Sequence, residues 1–144
     1  MFTAEQVHGV LAGATKAQLP VIMQITPAAR RYMTPEMLQG MVGGAEHVYP
    51  DAGVCIHLDH GDTAHCLDAI ASGFYDSVMI DASHEPFEKN IAVTKEIVDR
   101  AHDRGIAVEA ELGVLSGVED DMLAGEDQAR FTDPDQAVEF VSRT

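Results

Sequence analysis

Apolar positions along the chain fall into short continuous runs separated by longer amphipathic stretches. Pro20 to Ile25 (PVIMQI), Val54 to Leu58 (VCIHL), Ser77 to Ile80 (SVMI) and Ile106 to Leu112 (IAVEAEL) each have the length and composition of a strand. The stretches between them carry helical spacing. Ala4 to Lys16 reads as one helix. Thr34 is expected to N-cap a second, with Pro35 at its first helical position and Val48 near its end. Asp62 or Thr63 caps a third through Ala71, and Gly73 stops it. From about Pro86 to Arg104, Val93, Ile97 and Ala101 share one helical face, and Gly105 ends the run. Asp133-Pro134 opens a last helix with Ala137, Phe140 and Val141 apolar.

Four strands separated by helices imply βαβ units and a parallel sheet. Strand starts counted from Pro20, Gly53, Ser77 and Ile106 are unevenly spaced, which fits an α/β barrel better than a solenoid. The chain has 144 residues, whereas an eight-stranded barrel takes roughly 200 or more. The expected fold class is therefore α/β: a partial TIM (β/α)8 barrel of about four parallel strands, with residues 1–144 forming one domain. A small open α/β domain is the alternative. No linker or low-complexity stretch divides the chain, and the acidic segment Glu119 to Asp127 reads as a solvated loop. Four strands alone would expose two sheet edges and an apolar inner face.

Hydrophobic residues make up 46% and charged residues 23%, a globular balance. The net charge of −15 argues against nucleic acid and anionic membrane surfaces as partners. An anionic substrate gains nothing from that field, so a phosphate would need local backbone N–H donors, as at a helix N-terminus. No apolar run approaches the roughly 18 residues of a membrane span. The N-terminus has no basic n-region, so a cytoplasmic protein is expected. Cys55 and Cys66 form no CxxC pair and are expected to be reduced, buried thiols.

The polar residues inside this apolar pattern are the informative ones. Strand alternation puts His57 and Asp59 on one face. Asp59 and His60 fall at the C-terminal end of their strand, where α/β barrels place active-site groups. Asp81 ends the next strand and Glu111 lies near the end of the one after. Three neighbouring strands thus each end in a carboxylate or an Asp-His pair, the convergence from which a metal or acid/base site is built. Glu109, one layer deeper than Glu111, is taken as structural and would need a partner if buried. His8, His47 and His102 are expected on helix surfaces. On spacing alone, an ordinary capping role for the strand-end residues stays open, as does a site made of His57, Asp59 and His60.

HLDHGDT (57–63), GFYDSVMIDASHEPFEKNI (73–91) and VEAELGVLSGVEDD (108–121) resemble the successive signature blocks of class II, zinc-dependent fructose-bisphosphate and tagatose-bisphosphate aldolases. PVIMQITPAARRYM (20–33) and TDPDQAVEFVSRT (132–144) are similar to further family segments, so the likeness covers essentially the whole chain. It implies a lyase that reversibly cleaves a ketose 1,6-bisphosphate, with fructose 1,6-bisphosphate giving dihydroxyacetone phosphate and glyceraldehyde 3-phosphate. It assigns Asp59 as the aspartate that relays the proton at the C4 hydroxyl, and His60 as a ligand of the catalytic Zn2+. Asp81 and Glu111 would flank the metal and hold a second or displaced ion, and a monovalent cation could also assist. Glu119 would be a mobile-loop glutamate moving a proton at the nascent enediolate. Ser83 and His84 are expected only to cap or pack. Ala82 stands where the family usually has glycine. The resemblance also implies a homo-oligomer, and places further histidine ligands and a phosphate loop on the family's later strands. The competing expectation is a non-catalytic half-barrel acting as a binding or oligomerising module.

Overall fold

The computed structural model describes residues 3–114, 117–119, 122–124 and 131–144, the two short middle segments as backbone only. Helix α1 (Ala4–Ala17) begins at Thr3, whose hydroxyl accepts the Gln6 N–H while the Gln6 side chain accepts the Thr3 N–H. Strand β1 (Val21–Ile25) leads into α2 (Pro27–Met33), a short helix that the hydrophobic pattern does not reveal, and then α3 (Pro35–Val48). Thr34 sits between these two helices at φ 58°, ψ 148° and makes no side-chain cap bond. The expected Thr34 cap is thus corrected. Its N–H closes α2 on the Arg30 carbonyl, and Pro35 behind it bars the helical region to Thr34.

Strand β2 (Val54–Gly61) runs three residues past its expected end, through Asp59 and His60. Helix α4 (Thr63–Ser72) is capped by Asp62, which accepts the His65 N–H at 2.8 Å, and stopped by Gly73 at φ 68°. β3 (Ser77–Ile80), α5 (Phe87–His102) and β4 (Ala107–Ala110) complete the main sheet. β4 is shorter than its apolar run. A two-stranded antiparallel ribbon follows, β5 (Gly117–Glu119) and β6 (Met122–Ala124), and then α6 (Pro134–Arg143), capped by Asp133.

The four main strands are parallel and lie in the order β1-β2-β3-β4, each beside its predecessor. Strand order never reverses, so this sheet has none of the switch points at which doubly wound folds bind ligands. The arrangement is that of a partial (β/α) barrel, whose natural site is the C-terminal edge of the strands. One face carries Met23, Ile25, Ile56, Leu58, Val78 and Ile80, all buried against Leu11 of α1, Leu38 and Val42 of α3, Ile70 of α4 and Ile97 of α5. Burying each such side chain stabilises the fold by about 1.5–3 kcal/mol. The other face alternates with it and is mixed rather than apolar. It presents exposed Ile22 and Gln24, half-buried Cys55 and Ser77, buried His57 and Met79, and exposed Glu109. None of the described helices is long and apolar enough to cross a membrane.

Candidate metal centre

The site begins with an irregularity in β2. Leu58 pairs with Val78 and Gly61 with Ile80, so β2 holds one residue more than β3 between those pairs. The extra residue is accommodated by His60 at φ 50°, a left-handed conformation that costs a non-glycine residue about 1–2 kcal/mol. Gly61 seals the bulge against the core. A Cβ on it would lie 2.7 Å from Leu58 Cδ2, 3.0 Å from Cys66 Sγ and 3.2 Å from the Met79 carbonyl. Simple alternation would send Asp59 and His60 to opposite faces. The bulge instead brings both to the margin of one cavity of about 970 Å3, which they share with Gln24, Met79, Glu109 and Glu111.

Around the His60 ring the carboxylates converge. Its Nδ1 lies 3.2 Å from Asp81 Oδ2 and 3.6 Å from Glu111 Oε2, and its Nε2 lies 3.9 Å from Asp59 Oδ1. One donor atom each from His60, Asp81 and Glu111 falls within 4.8 Å of the others. The three come from the C-terminal ends of β2, β3 and β4, where the sequence places them. Asp81 is the most enclosed of them, its side chain 8% exposed. Burial pushes its carboxyl up, but the Ser83 hydroxyl (2.7 Å) and N–H (3.1 Å) on Oδ1, with His60 on Oδ2, outweigh that and hold it below the usual carboxylate range. Asp59 is held close to His60 and faces the cavity, with its side chain 19% exposed. Glu119 falls on β5, and its side chain lies outside the described residues.

One layer below, His57 is 3% exposed. Its Nδ1 is 2.7 Å from Ser77 Oγ and its Nε2 is 3.5 Å from Glu109 Oε2, a contact that is not a hydrogen bond. Glu109 is 60% exposed, so it does not carry the burial cost expected of it. His57 bonds away from the strand ends and does not join the His60 cluster. His8, His47 and His102 are exposed, as expected.

Two further residues support the cluster. Ser83, expected to cap or pack, gives both its N–H and its hydroxyl to Asp81. A serine two residues after an aspartate is the spacing of such a local turn, so this signal was present. Asn90, buried in α5, donates its amide to the Glu111 carbonyl at 2.9 Å. Nothing local in the sequence marks that contact, because it joins a helix to a strand end.

The sequence profile of class II fructose-bisphosphate aldolases matches residues 1–144. Fructose-bisphosphate aldolase of Giardia intestinalis is 41% identical over 140 residues, covering 97% of this chain and 42% of the relative. That of Staphylococcus epidermidis is 41% identical over 146 residues, covering 97% and 49%. The crystal structure of the YdjI aldolase from Escherichia coli K12 superposes with a TM-score of 0.80 at 36% identity, covering 100% of this chain and 49% of that one. The chain thus spans about half the length of the relatives it matches. On the profile match over its full length, with the same fold in a solved aldolase, the chain belongs to the class II fructose-bisphosphate aldolase family.

Proposed function

We propose that this chain builds part of the active site of a zinc-dependent ketose-bisphosphate aldolase, with His60, Asp81 and Glu111 holding the metal and Asp59 handling the substrate proton. The observation that carries the reading is the convergence of those three donor atoms at the ends of adjacent strands. Zinc binds nitrogen and oxygen ligands at about 2.0–2.2 Å, so donors around one tetrahedral ion sit about 3.3–3.5 Å apart. The separations of 3.2 and 3.6 Å around His60 Nδ1 bracket that value. Two carboxylates and a neutral imidazole also balance a divalent charge.

What zinc supplies when bound is Lewis-acid polarisation of the ketose carbonyl. The chain's own residues do the rest. Ser83 fixes the Asp81 carboxylate through Oδ1, which leaves Oδ2 facing His60. Asp59 faces the cavity beside His60, where its carboxylate takes the proton from the C4 hydroxyl as the C3–C4 bond breaks. The family likeness supports Glu119 as the group that exchanges a proton with the three-carbon fragment. It also supports fructose 1,6-bisphosphate as the substrate, cleaved to dihydroxyacetone phosphate and glyceraldehyde 3-phosphate.

The test is metal content together with cleavage of fructose 1,6-bisphosphate. Asp59→Ala should retain zinc and lose roughly 10²–10⁴-fold in kcat, the range for removal of a general base. His60→Ala should lose the zinc. An Asp59→Ala protein as active as the parent, or a His60→Ala protein with undiminished zinc, would overturn the reading.

A further inference from the structure

We infer that Asn90 is a positioning residue for the metal centre, setting where Glu111 stands; the inference rests on the metal-centre reading above. Among the described residues, β4 has a strand neighbour on one side only. Glu111 is the first residue beyond β4, past the last register pair of Ile80 with Ala110. Past that pair, side chains hold the backbone that carries the Glu111 carboxylate toward His60 and Asp81. Asn90 Nδ2 donates to the Glu111 carbonyl at 2.9 Å, and Thr132 Oγ1 donates to the next carbonyl, Leu112, at 2.7 Å. Asn90 is 2% exposed and Thr132 is exposed, so Asn90 is the firmer clamp.

The amide's orientation is fixed as well as its place. Thr94, one turn along α5 and 1% exposed, donates its hydroxyl to Asn90 Oδ1 at 3.1 Å. Both ends of the amide are engaged, and only its nitrogen can serve the Glu111 carbonyl. Asparagine is a mediocre helix former, and burying its amide is unfavourable unless it is hydrogen-bonded. Packing of α5 on the sheet needs only an apolar side chain at this position, as Ile97 and Ala101 provide further along. The buried amide is explained by what it holds. The Asn90–Glu111 bond thus does for Glu111 what the Ser83 bonds do for Asp81.

The test compares Asn90→Leu, Thr94→Val and, as a packing control in the same helix, Ile97→Val, with His60→Ala as the reference for a lost ligand. Zinc affinity is measured by chelator competition, coordination by the visible absorption of bound Co2+, and folding by the melting temperature. Loss of an outer-shell partner weakens metal binding roughly 10- to 100-fold. Asn90→Leu should show that loss with altered Co2+ bands. Thr94→Val should show a smaller shift in the same direction. Ile97→Val should lower the melting temperature and leave both metal readouts unchanged. An Asn90→Leu protein with parental affinity and spectrum overturns the inference. If that variant gives no cooperative melt, Thr94→Val decides, and parental metal readouts there overturn it. Undiminished zinc in His60→Ala sinks the metal-centre reading and this inference with it. Zinc lost from His60→Ala but unchanged in Asn90→Leu overturns the positioning role alone.

Discussion

His60 combines two demands that can be separated by substitution: a donor side chain and a backbone at φ 50°. Alanine removes the donor and keeps the left-handed penalty, whereas glycine removes both. His60→Gly should therefore be about 1 kcal/mol more stable than His60→Ala in denaturant unfolding, with both deficient in metal. Equal stabilities would mean that the bulge relaxes once the imidazole is gone. Behind the bulge, Cys66 is fully buried, and its thiol is pushed up to about 12 by burial and by Asp62, against the opposing pull of Arg30. Its Sγ also donates to the Met79 carbonyl at 3.4 Å. In the native protein a disulfide reagent should titrate half-buried Cys55 and leave Cys66 untouched until denaturant is added. Fast reaction of both thiols without denaturant would contradict this placement. At this scale the sequence identified Asp59, His60, Asp81 and Glu111 as strand-end residues. Their convergence was legible, but not the bulge that turns Asp59 and His60 toward one cavity. A bulge shifts facing by one residue and leaves no compositional trace, so alternation alone separates Asp59 from His60.

Among the elements, the four strands were legible because each is an apolar run bounded by turn or cap residues. Their limits were less so. β2 extends through Asp59 and His60, whose polarity reads as a strand end although parallel ladder bonds are made by backbone. Helix α2 hides between Pro27 and Pro35, two residues that equally well mark a loop. The α6–α5 contact was not legible at all. Arg143 of α6 meets Glu88 of α5 at 2.9 and 2.5 Å, and Phe140 packs its ring near Phe87. The Arg143 hydrogen bond holds the Glu88 carboxyl below its ordinary value, against a smaller opposing effect of burial. A carboxyl depressed in the folded state adds stability above its unfolded pKa, and that stability is lost as pH falls through the folded value. Arg143→Gln should therefore melt below the parent at neutral pH. The gap should close in acid, below the ordinary glutamate pKa of about 4.3, and shrink in high salt because the pair is exposed. A gap that persists unchanged in acid would assign the effect to packing on Phe140 instead.

At the scale of the whole molecule, one sheet face is a dry core and the other a mixed surface whose strand ends gather carboxylates in a chain of net charge −15. A divalent ion is the natural counterweight to that clustering. Zinc at a hundredfold excess over its dissociation constant should stabilise the fold by about 2.7 kcal/mol, read as a rise in melting temperature absent from His60→Ala. A rise of the same size in both proteins would place the binding elsewhere. The sequential strand order has a further consequence, in time rather than space. Each strand pairs with the one synthesised just before it, so every βα unit can dock on the growing edge as it leaves the ribosome. His60, Asp81 and Glu111 then arrive one per unit, in chain order. High-affinity metal capture by a nascent chain would date the docking of β4.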